Sequence, residues 1–267
     1  MSRPYIGSYH WTKKNNGILS KKEKCQVVGM LIKSQVANTL GFLQTGFGFD
    51  LHKFSRLNLH NIRVPDSSFV KKAEDLATTT YSPALYNHCL RTYYFGCLFA
   101  QYHNVKPDLE LLYTGCLFHD FGLAGSHVCQ TAHCGFHIVG ARQAHTFAVE
   151  NGWDHAKSIK LFESISYHLN PYVPLEKNDS EAALLQRGAM LDVIGLDHYK
   201  LGKELISQVN QLFNRENFKT EILNSMHDIS HVKDSHADFL GRLGFEKLAS
   251  TNKLDKIVLN HTDEEAI

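Results

Sequence analysis

Five short stretches of this 267-residue chain set metal-capable side chains among apolar neighbours: Asn87-His88-Cys89-Leu90, Leu117-Phe118-His119-Asp120-Phe121, Phe136-His137-Ile138, Tyr167-His168-Leu169 and Leu191-Asp192-Val193. Ionisable residues are seldom fully buried unless they are paired or hold a metal. A single histidine on an apolar helix face is usually a satisfied core residue, and a single buried aspartate is usually a cap or an ion-pair partner. Taken together, four histidines and two aspartates in one apolar core carry a cost of several kcal/mol, order of magnitude, for each unpaired charge. A bound cation removes that cost. Imidazole with carboxylate suits a divalent transition metal (Zn, Fe or Mn) better than Ca or Mg. Such an ion lowers the pKa of its water to about 7, so a metal-activated water is available at neutral pH. Asp120 can orient that water or accept its proton, and His168, where it is not a ligand, is the candidate general acid. Asp120 and His168 are therefore the catalytic candidates.

The elements that must position these groups read as helices. Ser82-Pro83 is a helix start, with serine as N-cap and proline in the first turn, and the pattern runs to about Tyr102. Pro107-Asp108 opens the next helix, expected to run to about Phe121 and stop at Gly122. A Gly/Ser/His/Cys-rich loop from Gly125 to Gly135 follows. Further helices are expected over Phe136–Glu150, Ala156–Leu169, Glu181–Ile194, Gly202–Phe213 and Asn217–Met226, with a short one over Val70–Leu76. Strand alternation is absent. Short connections make these helices neighbours, so that inward side chains of successive helices can meet. The fold class is all-α: a helical bundle over residues 63–250, an N-terminal arm over 1–62 that is partly irregular, and a polar C-terminal tail over 251–267 expected to fray.

The order His88, His119-Asp120, Asp192 resembles the HD-domain superfamily of metal-dependent phosphohydrolases, whose signature is a histidine, an adjacent His-Asp pair and a distant aspartate. The stretches SPALYNHCLRTYYFG, LLYTGCLFHDFGLA, ISYHLNP and LDVIGL are similar to the cyanamide hydratase-like branch, as are NIRVPDS and NFKTEIL; the likeness covers roughly residues 61–226. The resemblance implies a metal-dependent hydrolase or hydratase acting on a small soluble molecule. His137 departs from that branch, which usually has an acidic residue in the segment matching GFHIVGA. Dinuclear HD proteins place a ligand histidine there and another at the end of the next helix. The resemblance then implies His88, His119, Asp120 and Asp192 for one ion, and His137, His168 and a bridging Asp120 for a second; the other role for His137 is a hydrogen bond to substrate or to a ligand. A dinuclear iron oxygenase and a nucleotide phosphohydrolase are the alternative chemistries within the superfamily, and a non-enzymatic metal-holding protein is a third.

Other residues have weaker claims. Arg91 stands one helical turn after His88 and can bind a polar or anionic substrate group, or form a structural ion pair. His127, Cys129, His133 and Cys134 crowd the loop before His137. They lack the repeated short-spaced pairs of a zinc finger, so this loop is read as a pocket rim with His133 touching substrate. His145 is a rival ligand to His137. His198 is read as a surface residue, and His227, His231 and His236 as solvated. A net charge of +1, from 28 basic and 27 acidic residues, gives no support for binding nucleic acid or membrane through bulk charge. No apolar leader is expected in the polar start of the chain, and six cysteines, most of them within apolar helical patterns, fit a reduced, cytoplasmic protein, with homo-oligomerisation open.

Overall fold

The computed structural model describes residues 5–176, 180–229, 231–252, 254 and 257, apart from the side chains of Ser126, Cys129, Ala132 and Asp228. Among the described residues the chain forms thirteen α-helices and no strand, in keeping with the all-α expectation. They are α1 (Tyr9–Asn15), α2 (Lys21–Gly46), α3 (Leu51–Phe54), α4 (Ser68–Thr80), α5 (Pro83–His103), α6 (Leu109–Phe118), α7 (Phe136–Glu150), α8 (His155–Ser166), α9 (Glu181–Ile194), α10 (Lys203–Leu212), α11 (Phe218–Asp228), α12 (His236–Arg242) and α13 (Phe245–Ser250). Side-chain caps start the bundle helices: Ser67, Ser82, Asp108 and Asp154 each accept a hydrogen bond from the backbone N–H three residues on. Each such cap contributes about 1 kcal/mol to its helix.

Helices α5 and α9 form the centre, with α6, α7 and α8 beside them. Two glycines let backbones touch where the chemistry sits. A methyl on Gly188 of α9 would lie 2.2 Å from the Thr92 carbonyl oxygen of α5. That contact brings Asp192, one turn on from Gly188, towards His88, one turn before Thr92. A methyl on Gly140 of α7 would lie 2.3 Å from the Phe118 carbonyl oxygen and 3.0 Å from that of His119, so α7 packs directly on the end of α6. The latter helix ends earlier than expected, at Phe118, and a 3-10 turn over Phe121–Leu123 completes the segment. The loop before α7 is likewise wound as 3-10 helix, over Gly125–Ala132.

The arm departs most from expectation. Its main part is the 26-residue helix α2, opened by a capping box in which Ser20 and Glu23 satisfy each other's backbone N–H groups. Only Val27, Ser34 and Gly41 of α2 are buried, every seventh residue, so no broad apolar stripe announces the helix in the sequence. The start of the arm reaches the same core as the bundle through Ile6, Trp11 and Leu19. It is fastened to the segment before α12: Leu19 N–H donates to the Asp234 carbonyl oxygen at 2.9 Å, Lys24 pairs with Asp234 at 2.6 Å, and Ile18 bridges Ser235. The start of the expected tail is also packed, with Asn252 and Leu254 only 5% and 2% exposed. Its end, 258–267, lies outside the described residues. No helix among the described residues is long and apolar enough to cross a membrane.

Candidate metal centre

Three imidazoles are aimed by the hydrogen bonds at their outer nitrogens. His119 follows the last turn of α6, and its Nδ1 lies 2.7 Å from the Cys116 carbonyl oxygen. His168 stands just beyond α8 in the same way, Nδ1 to the Ile165 carbonyl oxygen at 2.6 Å. His88, within α5, places Nδ1 2.7 Å from Asp192 Oδ2. Each Nδ1 faces an acceptor, so each donates, and each Nε2 keeps its lone pair.

Those lone pairs converge. His88 Nε2 and His119 Nε2 are 3.1 Å apart, and Asp120 Oδ2 lies 3.4 Å from the first and 3.3 Å from the second. His168 Nε2 approaches the other carboxylate oxygen, Oδ1, at 3.8 Å. His88, His119 and Asp120 are 1%, 1% and 3% exposed, so water cannot relieve the repulsion among their acceptors. A transition metal bonded at about 2.0–2.2 Å holds its ligand atoms roughly 3.0–3.6 Å apart in tetrahedral or octahedral geometry. The three contacts match that spacing, and the donor set fits a divalent transition metal.

The electrostatics ask for one positive charge in this place. Burial disfavours a proton on His88, yet Asp120 and Asp192 together raise its pKa above the ordinary value. Burial, with neighbouring histidines, lowers His119 and brings His168 down to about 3. Burial works against the Asp120 carboxylate, but His119 and His88 hold it well below the usual range. His168 therefore favours the unprotonated form, with Nε2 directed to the Asp120 carboxylate.

Asp192 stands behind His88. It is fully buried and accepts from His88 Nδ1, from Arg91 Nε at 2.9 Å and from a second arginine, Arg215. Its backbone carbonyl accepts from Arg215 and Asn252. Asp192 thus orients His88 and has both carboxylate oxygens engaged. Arg91 is 0% exposed, donates from Nε and Nη2 to Asp192 and from Nη1 to the Phe213 and Asn214 carbonyls, stacks on Phe218, and is not among the residues lining the small cavity at the centre. Its contacts are those of the structural ion pair. His133 is exposed and does not line the cavity at the centre; its carbonyl accepts from Asn16. The side chain of Cys129 lies outside the described residues.

His137 is 0% exposed, with its ring 6.1 Å from that of His168. His145 instead stacks on Tyr9, near His155. His198 and His227 are exposed as expected, while His236 is fully buried, contrary to its polar surroundings in sequence. Arg215, Asn252 and His236 were not singled out as site residues, because each sits in a polar stretch with no periodic apolar flank.

A small cavity of about 30 Å³ opens at the centre, lined by His88, His119, Asp120 and His168 and walled by Leu169, Met190, Ile222, Met226 and Phe245. It has room for roughly two water molecules. A far roomier cavity of about 510 Å³ lies at the other end of α5, between Arg56, Arg63 and Lys106, away from every histidine and aspartate of the centre.

Buried neutral histidines also set the acid stability. Burial brings His103 to about 4, His236 to about 4 and His168 to about 3. Below their unfolded value of about 6.5 the unfolded chain takes up protons that the folded one refuses, so stability falls as pH falls. His119, His137, His145 and His231 are lowered too and act in the same direction, while His88, raised, runs the opposite way. The urea midpoint of the metal-free protein is expected to drop steadily from pH 6.5 to pH 4.5. Each group contributes at most about 1.4 kcal/mol per pH unit. A flat midpoint over that range contradicts the assignment.

The HD domain family profile matches residues 85–266, well over half of the chain and the whole of the cluster. No match is found among curated proteins.

Proposed function

Since this chain belongs to the HD-domain family, we propose that it is a metal-dependent hydrolase or hydratase whose substrate is a very small, uncharged, soluble molecule. The observation that carries this reading is the convergence of the lone pairs of His88, His119 and Asp120 on one buried point, 3.1 to 3.4 Å from one another. A divalent transition metal, zinc, iron or manganese, supplies there a water acidic enough to lose a proton near neutral pH.

The chain's own groups divide the remaining work. His88 and His119 would hold the ion as neutral imidazoles, each fixed by its Nδ1 hydrogen bond. Asp120, ionised, would balance the ion's charge with one oxygen, leaving the other to orient a water or substrate N–H. His168 offers Nε2 as a proton acceptor on the cavity side. The apolar wall of Leu169, Met190, Ile222 and Met226 excludes bulk water and gives no cation for a phosphate group. The arginine pair at Asp192 is spent inside the fold. A nucleotide is thus a poor fit to a cavity of about 30 Å³, and a nitrile or similarly compact molecule, as in the cyanamide hydratase-like branch, is the better one. Asp192 serves as a ligand only by giving up bonds it already makes, so its part is to hold His88. The cytoplasm, where thiols stay reduced, suits five free cysteines among the described residues.

The test is a substrate screen on the full chain, stripped and then reloaded with zinc, manganese or iron(II). It covers small nitriles, small amides and nucleoside phosphates, with product release and O₂ uptake both recorded. The expected result is hydration or hydrolysis of a compact substrate, lost on chelation, restored by metal and indifferent to O₂. Turnover that survives complete metal removal overturns the reading. Substrate-dependent O₂ uptake moves it to the oxygenase, and phosphate release moves it to the phosphohydrolase.

A further inference from the structure

Helix α2 lies on the bundle along Val27, Ser34 and Gly41. A methyl on Gly41 would fall 2.3 Å from the Tyr199 hydroxyl oxygen, so that seam is close. At 3.6 residues per turn, the opposite side of the helix is formed by Ile32, Val36, Leu40 and Leu43, with Phe47 just past its last residue. Steps of three and four residues set these side chains in one line. Each of the five is between 48% and 77% exposed, and Phe49 and Leu51, immediately after, are exposed as well. The outer face of a monomer's surface helix is ordinarily polar. At about 100 Å² for each group, the seven side chains show on the order of 700 Å² of apolar surface. That exceeds the roughly 300–600 Å² of the largest patch on a typical monomer and approaches the roughly 800 Å² that one partner gives to a stable interface.

The stretch is also free of charge. Residues 34–49 hold no Asp, Glu, Lys or Arg, in a chain that is 21% charged. Two copies of such a patch can meet about a two-fold axis with no like charges opposed, as a self-complementary contact requires. A helix that rests in a membrane surface instead carries lysine or arginine along the margins of its apolar face. Here Gln35, Thr39 and Gln44 stand along the margins, and Lys33, beside the start of the line, lies over the Tyr172 ring at 4.1 Å.

We infer that α2 is a dimerisation helix, whose outer face packs antiparallel against the same face of a second copy of this chain, with Leu40 at the two-fold axis. Leu40 is the midpoint of the line from Ile32 to Phe47. Antiparallel pairing keeps Lys21 and Lys22 of the two copies at opposite ends and sets the N-terminus of each helix beside the C-terminus of the other. Parallel pairing would crowd the lysines and both positive helix ends together. No residue of α2 lines the cavity at the metal centre, so the contact leaves that cavity as it is.

Sedimentation velocity on the full chain at micromolar concentrations tests the pairing. Wild type is expected to sediment at twice the 30.3 kDa of one chain. Leu40→Glu sets two carboxylates at the axis and is expected to weaken the dimer by about 100-fold or more, leaving single chains at the same concentrations. Its circular dichroism should match wild type, because Leu40 is exposed in the single chain. The orientation is read by mild oxidation and a non-reducing gel. Cys25→Ser/Leu40→Cys should form a covalent dimer. The native Cys25, exposed near the start of α2, should not link to its mate, roughly 45 Å away in the antiparallel pair. Wild type that sediments as single chains overturns the inference, and its flotation with vesicles of phosphatidylcholine and phosphatidylserine would then assign the face to a membrane. A folded Leu40→Glu variant that pairs as tightly as wild type also overturns it. Should that variant misfold, the cysteine pair decides: no link through Leu40→Cys, or a Cys25 link in its place, rejects the antiparallel contact.

Discussion

Asp120→Asn is expected to remove the ion while leaving the fold intact. Asp120 is the only carboxylate in the group formed with His88 and His119, and its Oδ2 stands within 3.4 Å of both imidazole nitrogens. Asparagine keeps the shape and loses the charge. A neutral amide oxygen is a far weaker partner for a divalent ion, and an amide N–H turned inward adds a donor where a cation must sit. The cost to folding is small, because a neutral group is easier to bury than a charged one. Metal affinity should fall by more than the roughly 10–100-fold seen when a mere supporting residue is lost, and turnover by on the order of 10³-fold. Metal content after gel filtration, turnover on the substrate from the screen and the urea midpoint check all three. A variant that keeps its ion and its rate removes Asp120 from the centre.

Asp192→Asn should show the opposite balance, with stability lost first. Its carboxylate is 0% exposed and faces Arg91, itself 0% exposed, together with Arg215 and His88. Two guanidiniums then lose their counter-charge inside the protein, and breaking one partner of a buried pair costs about 3–5 kcal/mol. The unfolding free energy in urea should drop by that amount at pH 7. Metal affinity should weaken by about 10–100-fold, through the freed His88 ring, without being abolished. Arg215→Leu, which removes one cation and keeps the His88 contact, should cost less metal affinity than Asp192→Asn. Loss of all metal in a variant of undiminished stability makes Asp192 a direct ligand and rejects the orienting role.

The two variants also show what could be read from the chain alone. The helices α7 and α9 follow the expected bounds to the residue, because Gly135, the stop at Asn151-Gly152 and the glycine after Ile194 are local signals. The order of His88, His119, Asp120 and Asp192 led to one buried cluster for the same reason: adjacent helices joined by short loops must share a core. What escaped depends on distant partners. Arg91 looked available to a substrate until α9 and the 213–215 segment supplied acceptors for all three of its side-chain nitrogens. Helix α2 touches the bundle on so narrow a seam that its periodicity is hidden. His236 lies in a polar stretch, and only a backbone contact from Gly17 reveals that it turns inward.

The fastening of the arm has a consequence for the order of events during folding. His88 and His119 are 31 positions apart, whereas Lys24 and Asp234 are separated by 210. Contacts that close short loops form early, and those that join distant parts of a chain wait until the intervening segments have collapsed. A ribosome-bound chain can thus assemble the first three ligands before its last helices exist. The fastening of the arm comes later, once the segment around Asp234 has emerged to meet a beginning made long before.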